Sequence, residues 1–146
     1  MTGTTRDLIL RFTWALLLTF VLTATGAAAA QAAWEVQLGT AVQHAEFSLG
    51  SDEHESAQRH LGHVLNCIAG EAGDGFDGAW GHPCGGQGEG LLADLAEHPR
   101  HADVAAVLNA AHGLGLHGVQ SDSLGAVHAA AAAVRALLEV VSAFGD

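Results

Sequence analysis

The chain has 146 residues, enough for one domain of ordinary size, and carries five arginines and no lysine against 16 acidic residues, a net charge of −11. So few cations argue against nucleic-acid binding, which needs clustered basic side chains, and against binding to anionic membrane surfaces. A cationic partner or a metal ion suits this charge better, although acidity also serves solubility alone.

The N-terminal segment has the pattern of a secretory signal peptide. Arg6 and Arg11 accompany the apolar run FTWALLLTFVLTATG, and the small residues AAAAQAA follow it. An uncleaved membrane anchor needs about 20 apolar residues, and the alanine-rich second half of this segment is only weakly hydrophobic. We therefore predict a signal peptide over residues 1–32, a domain over residues 33–146 and a periplasmic or secreted location, with an uncleaved N-terminal anchor as the alternative.

Two amphipathic helices are predicted at the start of the domain. Apolar residues recur at three- and four-residue steps through residues 34–49, which indicates a helix. Asp52, followed by Glu55, has the spacing of a capping box for a second helix, which should run to Ala69 and end at Gly70. Because the connection is very short, the two helices should form an antiparallel hairpin.

Residues 70–90 are predicted to form a loop without regular structure, since nine of these 21 residues are glycine. Cys67 and Cys84 are the two cysteines of the chain, and in an oxidising compartment they should form a disulfide that tethers this loop. Phe76 and Trp80 would then pack against the helices or offer a surface to a protein partner.

Three further helices are predicted in the C-terminal half. A short helix covers residues 90–98 and is stopped by Pro99. The next helix has Asp103 as its cap and ends at the glycines at 113, 115 and 118. The stretch SDSL caps a last helix that reaches about Phe144. No alternating strand pattern occurs, so the expected fold class is all-α: an up-and-down bundle of four main helices and a short one, with one disulfide-tethered glycine-rich loop.

Ten histidines are the main chemical feature of the sequence. Neutral imidazole is the commonest nitrogen ligand of zinc, copper, nickel and haem iron. His60 and His63 share one stripe of the second helix with Cys67. Because Cys67 is expected in the disulfide, it is not counted among the possible metal ligands. His44 lies at the edge of the first helix's apolar face, within reach across the hairpin, with Glu46, a water or another histidine as a further ligand.

The predicted metal ligands are therefore His44, His60, His63, His98 and His112, of which His98 and His112 would assist from the C-terminal half. His128 shares a solvated stripe with Arg135 and Glu139 and is not expected to be a ligand. The alternative for the His60 and His63 pair is two histidines at the core boundary with satisfied hydrogen bonds.

These residues favour an exported protein that binds a transition metal ion, Zn, Cu(II), Ni or Fe, for carriage, buffering or sensing. One alternative is a non-covalent bis-histidine haem protein for electron transfer, since no Cys-x-x-Cys-His motif is present. Another is a structural or partner-binding domain with no cofactor, in which the glycine-rich loop makes the contact. No catalytic motif is found, so an enzyme is not expected, and the sequence does not fix the oligomeric state.

Overall fold

The computed structural model describes residues 33–144, and this part of the chain contains helices, turns and one loop, without a β-strand. The helices are α1 (residues 33–50), α2 (His54–Ala69), α3 (Leu91–Asp94), α4 (His101–Val119) and α5 (Leu124–Ser142). Four are long and α3 is a single turn, which confirms the predicted all-α fold. The predicted signal peptide, residues 1–32, lies outside the described residues.

The core lies where the apolar stripes of the four long helices meet. On α5 the apolar stripe is buried from Val127 to Val141, and α2 contributes bulky buried side chains, among them Leu61, Leu65 and Ile68. Each such side chain removed from water stabilises the fold by about 1.5–3 kcal/mol. Burial of these side chains in one shared core therefore holds the four long helices together.

The predicted end of the fourth helix at its glycines is wrong, because α4 continues to Val119. Gly115 and Gly118 are buried, and an added Cβ at either would lie 2.6 Å from an atom of Leu65 or Leu61 on α2; at Gly118 it would also lie 2.6 Å from Ala130 on α5. Glycine costs helix stability locally, but here it lets three helix backbones approach closely. Tertiary packing outweighs the local preference.

The predicted helix caps do not form as expected. Glu53, not Asp52, precedes α2, and its side chain makes no capping hydrogen bond. Asp103 lies inside the first turn of α4, where its carboxylate pairs with Arg100 at 3.2 Å. Ser123 precedes α5 as the SDSL stretch predicts, but it too lacks a side-chain capping bond. Burial of the apolar stripes, more than capping, holds these helices in place.

The loop over residues 70–90 is closed at its base. Gly70 and Gly90 both have positive φ angles, and a Cβ added to Gly90 would lie 2.5 Å from the Gly70 nitrogen, so the two ends of the loop touch. The predicted Cys67–Cys84 disulfide is present. Contrary to the prediction of no regular element, a single 3-10 turn forms at Gly78–Trp80.

The short helix α3 ends at Asp94, earlier than predicted, and turns lead from there to Pro99. The Asp94 carboxylate accepts hydrogen bonds from the Gln37 side chain on α1 and from the Glu89 backbone N–H. α3 therefore connects the end of the loop to α1, which also has polar contacts with α2, with Gln87 of the loop and with Arg135 of α5.

Candidate metal centre

Three histidines from the α1–α2 hairpin converge at its surface. His44 projects from α1, and His60 and His63 project from α2 one helical turn apart. Near the turn of the hairpin, the Ser48 hydroxyl donates to the Ala57 carbonyl at 2.8 Å, which fixes the register of the two helices. That register places His44 opposite the other two histidines, as the sequence predicts.

The ring nitrogens of the three histidines point at one another. The Nδ1 of His44 lies 3.2 Å from the Nδ1 of His60 and 3.1 Å from the Nδ1 of His63. One ligand atom from each ring lies within 4.8 Å of the others, and all three residues are half-buried. Two nitrogens bound to one zinc ion at about 2.0–2.1 Å in tetrahedral geometry lie about 3.3 Å apart, so the observed spacing is close to that of a bound set.

Hydrogen bonding alone does not satisfy this arrangement. A neutral imidazole nitrogen carries either one proton or one lone pair, each directed along one line in the ring plane. The Nδ1 of His44 faces two other Nδ1 atoms, so it can make a well-directed hydrogen bond with only one of them. A cation between the rings would accept all three lone pairs at once.

The local electrostatics favour the neutral, ligand-competent form of these side chains. Burial, together with the nearby His63 and His60 side chains, lowers the pKa of His44 from 6.5 to about 4. Burial and the neighbouring Arg59 also lower the pKa of His60. Burial lowers the pKa of His63, and the nearby backbone of Trp80 opposes this lowering. At neutral pH these rings therefore offer lone pairs with little competition from protons.

The fourth side of the cluster is not filled by a protein ligand from the described residues. Within residues 33–144, no group of potential ligands other than His44, His60 and His63 has its donor atoms this close together. Glu46, the predicted further ligand, pairs with Arg135 at 3.7 Å instead. Phe47, 46% exposed, lies beside His44 and His60, with ring centroids 5.5 and 5.3 Å away. The site therefore has three imidazoles and an outer side bordered by an aromatic ring.

His98 and His112, the two predicted assisting ligands, do not join this cluster. The Nδ1 of His98 accepts the Arg100 backbone N–H at 3.1 Å, in the turn that leads into α4. His112 lies on α4 against Gly75 of the loop, and its buried Nε2 has no hydrogen-bond partner within the described part of the chain. Burial lowers the pKa of His112. The structure thus separates these two side chains from the three that converge.

Other histidines have structural contacts. The Nε2 of His128 lies 3.0 Å from the Ser51 carbonyl, and that of His54 lies 2.8 Å from the Ser121 carbonyl. His128 is therefore outside the cluster, as expected, although it is half-buried and not on a fully solvated face. His82 packs edge-on against Phe76 in the loop.

The sequence predicts that Trp80 packs against the helices, which the structure confirms, but sequence reasoning missed Asn66, which holds the glycine-rich loop on α2. The glycine-rich loop passes over the middle of α2, and Trp80 lies on Gly62, where an added Cβ would overlap the indole ring. Asn66, fully buried, hydrogen-bonds to the loop backbone. A polar side chain inside the apolar run VLNCIA is the signal in the sequence for this contact.

No known protein family matches this chain, and neither a curated protein nor a solved structure is significantly similar to it.

Proposed function

We propose that this protein binds one transition metal ion through His44, His60 and His63. The observation that carries the proposal is the convergence of three Nδ1 atoms, with His44 3.2 and 3.1 Å from the other two. Nitrogen donors without a nearby thiolate or thioether suit Zn, Cu(II), Ni or Fe. The lowered pKa of His44, about 4, keeps that ring neutral under ordinary conditions.

Carriage, buffering or sensing of the ion outside the cytoplasm is the role we propose. Structural zinc sites usually have four protein ligands, whereas sites with three protein ligands keep a position for water or an incoming group. Three imidazoles at a half-buried surface fit the second arrangement. An ion held in this way can pass to another ligand without unfolding the bundle.

The haem alternative is less well supported by this geometry. Bis-histidine haem ligation requires two imidazoles on opposite faces of a porphyrin. The ring centroids of His44 and His63 are 4.6 Å apart, those of His44 and His60 are 5.4 Å apart, and the rings touch through their nitrogens. This contact favours a small ion over a flat macrocycle between the rings.

Metal binding is tested by the thermal stability of the purified protein with added zinc, copper(II), nickel or iron(II). An ion present at about 100 times its Kd should stabilise the fold by about 2.7 kcal/mol, or about 10 °C in Tm for a domain of this size. The variant His60→Ala/His63→Ala should lose this shift.

The matched control is His101→Ala/His117→Ala, which removes two exposed histidines of α4 and should keep the full shift. Single variants of His98 and His112 test whether either assists. The proposal is contradicted if none of the four ions changes the wild-type Tm, or if the α4 double variant loses the shift as fully as His60→Ala/His63→Ala does. Either result would favour a structural or partner-binding domain.

A further inference from the structure

A cleft lies between the glycine-rich loop and α4. Its volume is about 630 Å³, within the range of about 300–1,000 Å³ that small-molecule sites have. Four elements form its walls: the end of α2, the start of the loop, α3 and α4. None of the lining residues belongs to the histidine cluster, so the cleft is separate from the proposed metal site.

The loop wall of this cleft is held by close backbone contacts. The Gly73 backbone N–H donates to the Gly70 carbonyl at 3.0 Å, and a Cβ added to Gly73 would overlap the Ala69 carbonyl oxygen. Gly75 packs on the His112 ring of α4, where an added Cβ would overlap Cε1. The shape of the cleft is therefore set by the fold of the chain.

Much of the lining of the cleft is apolar. Leu92 of α3 and Leu116 of α4 pack against the core and also line the cleft. Ala69 and Ala93 add two further apolar side chains to the walls. Such walls favour a ligand with an apolar body, because that body leaves water when it binds.

Three polar side chains border the same cleft: Asp74 of the loop, and Asn109 and His112 of α4. Asp74 and Asn109 are exposed at its edge. The buried Nε2 of His112 has no hydrogen-bond partner in the described part of the chain. An unpaired nitrogen beside a cleft is a place at which a ligand or an ordered water commonly supplies a hydrogen bond.

The charge around the cleft is negative. The three arginines of the described residues, Arg59, Arg100 and Arg135, each pair with a carboxylate outside the cleft, and none of them lines it. Burial lowers the pKa of His112, so its ring does not offset the Asp74 carboxylate at neutral pH. The net charge of −11 adds to the same field. The cleft should therefore attract cations and repel anions.

We propose that this cleft binds a small organic amine: an apolar body lies against Leu92 and Leu116, and a protonated primary amino group pairs with the Asp74 carboxylate. An ammonium group carries three hydrogen-bond donors and no acceptor, which suits the side-chain oxygens of Asp74 and Asn109. An anion of the same size meets repulsion from Asp74. This site takes a ligand of a different class from the metal ion and does not depend on metal binding.

The test uses two probes of nearly equal size and opposite charge: 2-phenylethylamine, a cation at neutral pH, and phenylacetate, an anion. Each is titrated into nitrogen-15-labelled protein at constant ionic strength, with a chelator present to keep metal ions off the histidine cluster. NMR follows the backbone amides and the histidine ring protons. 2-Phenylethylamine should shift the signals of Gly73, Asn109 and His112 with a Kd in the range of about 1–10 mM. The exposed His117, outside the cleft, should not respond.

Two matched pairs of variants locate the binding, and all four positions are exposed, so the fold should be retained. Asp74→Asn should weaken the binding of 2-phenylethylamine about 2–5-fold. Asp122→Asn, in the turn before α5, removes the same charge elsewhere and should leave the Kd unchanged. Ala93→Phe places a ring in the cleft and should abolish the shifts, whereas Ala106→Phe on α4, outside the cleft, should keep them.

Equal affinity for the two probes would overturn the proposal, and so would an equal weakening in Asp74→Asn and Asp122→Asn. The proposal also fails if 2-phenylethylamine leaves the signals of the cleft unchanged at concentrations several times the expected Kd. Shifts that persist undiminished in Ala93→Phe would place the amine elsewhere and count against it equally. Because the titration is run without metal, its result does not depend on the proposed metal site.

Discussion

The glycines of α4 provide a stability test of how the bundle is packed. Gly113, Gly115 and Gly118 all lie within α4, and the same substitution to alanine should give three different results. Alanine is favoured over glycine in a helix interior by about 1 kcal/mol. An added Cβ on Gly113 meets nothing within 4 Å. Gly113→Ala should therefore raise the free energy of unfolding by about 0.5–1 kcal/mol.

At Gly118 the result should reverse. The added Cβ would lie 2.6 Å from both the Ala130 Cβ and the Leu61 Cδ2. The Leu61 side chain can rotate, but the Cβ of Ala130 moves only with the backbone of α5. Overpacking of this kind costs about 1–3 kcal/mol, which exceeds the gain in helix propensity. Gly118→Ala should lower the free energy of unfolding by about 1–2 kcal/mol.

Gly115 should be intermediate, because the nearest atom to its added Cβ is the Leu65 Cδ2 at 2.6 Å, the end of a flexible side chain. Equilibrium urea unfolding of the three variants at one pH gives the free energies, with the slope against urea as a check that the unfolded surface is unchanged. For a domain of this size, 1 kcal/mol corresponds to about 4 °C in Tm. If Gly118→Ala is as stable as Gly113→Ala, then α2, α4 and α5 do not approach one another closely at Gly118.

Three further predictions concern the loop and the metal site. Replacing both Cys67 and Cys84 by alanine removes a crosslink between residues 17 apart and should cost about 3 kcal/mol by the chain-entropy relation, measured by urea unfolding; a loss under 1 kcal/mol would contradict it. Metal-free protein should lose stability as the pH falls from about 6.5 to 4, because the lowered pKa of His44, about 4, lets the unfolded chain take up a proton first. His44→Gln should flatten this part of the stability curve, and parallel curves for the two proteins would refute the assignment. Zinc affinity should be nearly constant from pH 8 to 7, and its decrease should begin at a lower pH than for a site of ordinary histidines, because the pKa of each of the three ligands is lowered. Calorimetric titration at several pH values measures the affinity, and a steep decrease already above pH 7 would count against the cluster.

The candidate site was predictable from the sequence in part. The spacing of His60 and His63 on one helix, with a very short connection to the helix of His44, is sufficient to suggest that the three approach one another. Helical periodicity does not determine which of several distant histidines joins them. Periodicity places His98 and His112 on suitable faces of their predicted helices. In the structure, however, His98 lies in the turns after α3 and contacts the Arg100 backbone, and His112 contacts the loop.

Local patterns in the sequence by themselves determined the helical class, the order of the long helices and the cysteine pair, because apolar periodicity and turn residues act over a few residues. The tertiary structure alone decided the ends of α4, since Gly115 and Gly118 are tolerated where neighbouring helices need the space. It also decided that the glycine-rich loop lies against α2, because the bonds from Asn66 to Asp77 and Gly81 span 11 and 15 residues. Contacts of that range depend on how the whole bundle packs.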